Sequence, residues 1–182
     1  MQAPRSLRSV SSFVFAVLVA LPLAASAQIP GTILHAPEAG KLLPDAVYYA
    51  GKTANTQLRN SAGIHYSDNR YVLAVLVDTS GYSTSIQEKY QGYLLTEVPL
   101  SIGDHSLLPG AYGIGFVGDH FVVTDIGGHD LLTSMATHDD QMQRPLPLQI
   151  LGPWPLQRDS HVSSGAWRLC FGRSCVDFHR GQ

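Results

Sequence analysis

Eight histidines stand among 14 acidic residues in a chain of 182, and they are the first place to look for chemistry. They are His35, His65, His105, His120, His129, His138, His161 and His179. Metal ligands on one strand face sit two apart, and on one helix face three or four apart. Here the nearest histidines are nine apart, His120 to His129 and His129 to His138. No H-E-x-x-H, H-x-H or EF-hand loop occurs. What recurs is Asp beside His: Asp104-His105, Asp119-His120, His129-Asp130 and His138-Asp139-Asp140. Neighbours on a strand point to opposite faces, and Asp at a turn is ordinary turn chemistry. Adjacency alone therefore makes no dyad. One combination carries forward as an alternative: His105 and His120 with Asp104 or Asp119, converging on a metal ion in a metal-assisted hydrolase.

Nucleophilic chemistry has less to work with. Gly81-Tyr82-Ser83-Thr84-Ser85 lacks the closing glycine of a nucleophile elbow and its strand-to-helix context. Glu88 and Glu97 would need a glycosidase separation that spacing does not supply. No phosphate-binding loop follows a strand and opens a helix. These residues imply no cofactor, and a non-catalytic protein is the leading expectation.

Tyrosine offers the better argument for binding. Eight tyrosines outnumber the six Phe and two Trp, and a tyrosine ring packs while its hydroxyl hydrogen-bonds. From Ala111 to Val117 the chain alternates, with Tyr112, Ile114 and Phe116 on one face and Gly113 and Gly115 on the other. Two glycines on one strand face mark a close approach by a backbone, a ring or a ligand. On the ligand reading the site residues are Tyr93, Tyr112, Gly113 and Gly115.

The elements that would position these groups are strands. Short apolar runs are punctuated by Gly, Pro, Asn and Asp from Ala46 onward. Ala46–Ala50, Gln57–Tyr66 and Tyr71–Val77 open the series, and Tyr71–Val77 is apolar on both faces, as in a central covered strand. The best helix candidate is 83–91, with Ser85 and Glu88 spaced as a capping box. Turn residues at 103–104, 109–110, 118–119 and 127–128 predict a meander over 98–132. Its two Gly-Asp-His triplets then lie at one end. Arg144–Pro155, with four prolines, is an edge strand at best. About ten short strands predict an all-β, mainly antiparallel domain, either a barrel or a two-sheet sandwich. Closure, which removes exposed edges, favours the barrel.

Cys170 and Cys175 flank Phe171-Gly172-Arg173-Ser174 between two strand-like runs. Facing across such a hairpin, they are spaced for a disulfide, which an oxidising compartment preserves. Residues 1–27 fit an export signal. Arg5 and Arg8 precede the apolar run 13–25, and Ala25-Ser26-Ala27 supplies the small residues for cleavage after Ala27. That run is shorter than the ~20 residues a spanning helix takes, so no membrane anchor remains after processing. Residues 28–45 read as an extended leader and 46–182 as one β domain. Without Arg5 and Arg8, the 12 basic side chains become 10 against 14 acidic ones, a charge of −4. Neither a nucleic-acid footprint nor a polybasic membrane patch is present. The partners expected are a small-molecule ligand or an envelope protein, in the periplasm or outside the cell. A purely structural or adhesion module is the third reading.

Leu107–Phe116, with Tyr90-Gln-Gly-Tyr93 and Arg168-Leu-Cys-Phe-Gly-Arg173, resembles an uncharacterised family of small secreted or periplasmic bacterial β-rich proteins. That resemblance implies the fold over most of 46–180 and no catalytic residue. Gly165-Ala166-Trp167 is also similar to the lipocalin Gly-x-Trp, which in that family belongs to the first strand and here falls near the end.

Overall fold

A computed structural model describes residues 31–153 and 165–181. The expected export signal and its cleavage point lie outside the described residues. The chain begins with β1 (Gly31–Leu34), one helical turn α1 (Ala36–Ala39), β2 (Ala46–Tyr49), β3 (Lys52–Tyr66) and β4 (Tyr71–Val77). Next come α2 (Thr84–Lys89), β5 (Gly92–Thr96), β6 (Leu100–Ile102), β7 (His105–Leu107), β8 (Gly110–Val117) and β9 (His120–Thr124). The remainder is β10 (Asp130–Met135), β11 (Thr137–His138), β12 (Gln149–Leu151), β13 (Trp167–Phe171) and β14 (Ser174–Arg180).

The strands form two antiparallel sheets. The first has the order β1-β3-β4-β5-β8-β9-β10, with β2 also on β3; the second runs β12-β13-β14-β6-β7, with β11 on β14. Neither sheet closes on itself, so the molecule is a sandwich and the barrel does not form. The run 98–132 is accordingly not one meander. Its β6–β7 hairpin belongs to the second sheet and β8–β10 to the first. The chain changes sheets at Leu108-Pro109, where proline has no N–H to give to a ladder. The two Gly-Asp-His turns still share an end. A Cβ on Gly103 would lie 2.9 Å from Ser134 Oγ, and Ser134 pairs with Phe121, next to His120.

Apolar side chains from both sheets meet in the middle. Ile64, Val72, Ile114 and Val123 face Leu100, Leu169, Val176 and Phe178. Burying each such side chain contributes roughly 1.5–3 kcal/mol. The cavity among them is only about 10 Å³, at the lower limit for a single water. The interior is filled.

β4 is apolar on both faces because the first sheet is covered twice. Val72 and Ala74 face the interior, while Leu73 and Val75 pack beneath Ala39 and Leu43. The expected extended leader is therefore folded. Gly31 to Leu34 pair with Tyr66 to Gly63, and α1 seals the outer face with Pro37 in its first turn, where the missing N–H costs nothing. Proline and glycine density there punctuates structure without preventing it. In α2 the expected capping box is not used. The helix starts two residues earlier, after extended Ser83 (ψ 155°), whose carbonyl accepts from the Ile86 and Gln87 N–H groups at 3.0 and 2.9 Å. Glu88 is then near the helix end.

The closing hairpin holds the disulfide. Cys170 and Cys175 pair directly across β13 and β14, 4.1 Å apart at Cα, and are bonded. Phe171 also pairs with Ser174, so the turn is Gly172-Arg173 alone, with Gly172 at φ +59°.

The rest of the outer face explains the glycines of β8. Tyr49 and Tyr90 stack with ring centroids 3.6 Å apart, and Tyr82 stands edge-on to both. Thr124 Oγ1 donates to the Gly113 carbonyl at 3.2 Å, which leaves its oxygen to accept from the Tyr49 hydroxyl at 2.7 Å. A Cβ on Gly113 would come within 2.5 Å of the Tyr49 ring and 3.0 Å of the Tyr90 ring. One on Gly115 would strike the Lys89 carbonyl at the end of α2. Rings and a backbone fill the flattened face. Gly113→Val should accordingly destabilise the protein by about 1–3 kcal/mol through overpacking. Gly81→Ala, where nothing lies within 4 Å, should change stability by no more than about 0.5 kcal/mol. Urea unfolding of the two variants measures both.

Candidate functional site

The four residues of the expected ligand site are not gathered. Gly113 and Gly115 are covered as described. Tyr93, opposite Gly113 in the β5–β8 ladder, is half-buried among the outer-face side chains. Tyr112 points to the opposite face, against the interior, and its hydroxyl donates to the Leu108 carbonyl at 2.8 Å. Opposite faces of a covered sheet cannot line one pocket.

Asp104 and Asp119 are exposed turn residues, and His105 and His120 are the exposed first residues of β7 and β9. Among the described residues no group of three or more His, Cys, Asp or Glu side chains is placed to hold a metal ion, so these four do not assemble a donor set. The His–Asp pairs that do form are local. His129 Nδ1 lies 2.9 Å from Asp125 Oδ2 rather than pairing with its neighbour Asp130, which takes Lys89 at 2.6 Å. His138 Nε2 lies 3.4 Å from Asp140.

The concave site lies along the seam where β1 and β3 of one sheet face β12 of the other. It is a groove of about 540 Å³, within the size range of small-ligand sites. Ile33, Ala62, Leu148 and Ile150 supply apolar walls, and His35, Arg59, Asn60 and Gln149 supply polar atoms. The groove exists because β3 bulges. Gln57 pairs with Leu76 and Ser61 with Val75, so Leu58, Arg59 and Asn60 have no counterparts on β4. A bulge bends its strand and re-aims its side chains. This one is held by Ser61 Oγ donating to the Leu58 carbonyl at 2.7 Å and by Asn60 Nδ2 donating to Gln57 Oε1 at 2.9 Å. Leu58 packs with α1, while Arg59 and Asn60 reach the groove. Spacing gave no hint of these residues, apart from the polar stretch Arg59-Asn60-Ser61 interrupting a strand-like run.

A second concavity, about 370 Å³ and polar, opens at the β3–β4 turn beside Thr32, His65, Tyr66 and Asn69. Its charged neighbours are paired within the fold. Arg180 lies 4.8 Å over the Tyr66 ring and grips Asp68 with two hydrogen bonds, at 3.0 and 2.6 Å. His65 stacks on Tyr71 with ring centroids 4.5 Å apart, and its Nε2 lies 3.1 Å from Asn69 Oδ1. Burial pushes the Tyr66 hydroxyl up to about 12, so it stays protonated. These contacts clamp the turn to the final strand, and the groove is the better candidate.

Compared with protein-family models, curated proteins and solved structures, the chain matches none.

The carboxyls in these turns give the fold a defined response to acid. Hydrogen bonds from Arg180 hold Asp68 below the usual carboxylate range; backbone N–H groups of Ser80 and His129 do the same for Asp78 and Asp125. A carboxyl whose folded value is depressed stabilises the protein fully above its unfolded value near 4. That stability is lost as pH falls through the folded value. The unfolding free energy should therefore decline on acidification below about pH 4. Asp68→Asn should make the decline shallower in urea titrations across that range.

Proposed function

We propose that this chain is an exported, non-catalytic β sandwich that holds a small apolar ligand in the groove between β1 and β12. The groove itself carries the reading: a concavity of about 540 Å³ with a mostly apolar lining, beside a sandwich interior with a cavity of only about 10 Å³. Ala62, Leu148 and Ile150 at the groove floor are themselves buried, so the apolar surface a ligand would take from water is chiefly that of the exposed Leu146 and the half-buried Ile33.

Export is supported by the signal-like pattern of residues 1–27 and by the Cys170–Cys175 disulfide, which is consistent with an oxidising compartment. No helix among the described residues is long and apolar enough to cross a membrane. The likeness of Leu107–Phe116 to secreted bacterial β proteins points the same way. Cleavage after Ala27 and release into the periplasm or beyond belong to this proposal.

N-phenyl-1-naphthylamine, a neutral apolar fluorophore, tests the groove. Its emission should rise saturably with one molecule bound per chain. Ala36→Glu and Leu146→Asp, at the groove rim, should each weaken binding about tenfold or more without moving the unfolding midpoint. Unsaturable emission, or saturable binding indifferent to both substitutions, overturns the proposal.

A further inference from the structure

We propose that the groove takes a single-chain amphiphile with an anionic head, and that Arg59 selects the head. This rests on the apolar-ligand reading and adds its chemical class.

The groove's polar side chains on the β1–β3 side gather at one end, beside the apolar Ala36 and Pro37. His35, Arg59 and Asn60 stand at the bulge end. Along β3 the chain then passes Ser61 and Ala62 to Ile64, whose partner on β1 is Ile33. Four residues of strand separate Asn60 from Ile64, about 13 Å. At that far end Ile33 approaches Gly152, where a Cβ would sit 3.5 Å from the Ile33 side chain. A flexible chain lying against Ala62, Ile150 and Ile33 would start at the bulge and end between two apolar strands.

The head end carries an unspent cation. Arg70 and Arg173 donate to backbone carbonyls, and Arg168 and Arg180 to Asp177 and Asp68. Arg59 has no hydrogen-bond or ion-pair partner among the described residues, although the bulge presents it to the groove. Glu38, the acidic residue of α1, is turned to its own helix start, where it accepts from the His35 backbone N–H at 2.9 Å. A guanidinium binds a carboxylate or phosphate through two parallel hydrogen bonds. Asn60 is neutral and spends one of its two amide hydrogens on Gln57, so it could add a single hydrogen bond but no charge.

The test compares dodecanoate, dodecyl phosphate and dodecanol by isothermal calorimetry at low salt and neutral pH, below their aggregation concentrations. Wild-type protein should bind at least one of the anions about tenfold more tightly than the alcohol. A preference for the phosphate identifies phosphate-headed lipids as the source, and a preference for dodecanoate identifies free fatty acids. Arg59→Gln should reduce the anions to the level of the alcohol, and Arg59→Lys should keep part of the preference. Equal binding of all three probes, or an anion preference untouched by Arg59→Gln, overturns the anionic head while leaving the apolar-ligand reading standing. Failure of every probe to bind overturns both.

Discussion

One long strand sets the terms for everything else. Fifteen residues of β3 span about 50 Å if extended, too far for a twisted sheet to follow without a break. β3 pairs with β2 at its start, β1 at its end and β4 along most of its length. The break falls at Leu58–Asn60, between the two halves. The strand bends there, β1 and β12 do not pair, and among the described residues the seam between the sheets is a groove.

Away from the groove and the polar concavity at the β3–β4 turn, the first sheet is covered on both faces by the described residues. Its inner face is filled by the second sheet, and its outer face by α1 and by the stack of Tyr49, Tyr82 and Tyr90. The stack is possible because Gly113 has no side chain, and Thr124 fixes it by accepting from one ring's hydroxyl. The tyrosine hydroxyls there are pushed up by burial, so all three stay neutral. Tyr82 donates to the carbonyls of Tyr49 and Lys52 at 3.0 and 3.1 Å, which ties the segment leading into α2 to β2 and β3. What looks from composition like a ligand platform is the means by which a short helix is fastened to a sheet.

The sequence made the strands, the central place of Tyr71–Val77 and the Cys170–Cys175 hairpin legible, because each depends on local alternation or on a short loop. The two faces of Ala111–Val117 were also readable, and Tyr112, Ile114 and Phe116 do face the interior. What occupied the other face was not, since glycine signals a close approach without naming what approaches. Nor could spacing separate sandwich from barrel: β7 and β8 are adjacent in sequence, yet they belong to different sheets. Residues 31–34 carry no strand signal of their own, because β1 is a strand only by virtue of a partner 29 to 35 residues further along the chain. Arg59 escaped notice for a related reason. A bulge is defined by the register of two strands, and a single sequence shows only one of them at a time.

Location tests the central claim more directly than affinity does. With methyl groups isotopically labelled, N-phenyl-1-naphthylamine should shift nearby resonances through its ring currents. The account predicts that Ile33, Leu148 and Ile150 move, while Val75, Ile86 and Val123 stay in place. Shifts centred on the outer-face tyrosine stack or the filled interior, with the seam methyls unmoved, would contradict it.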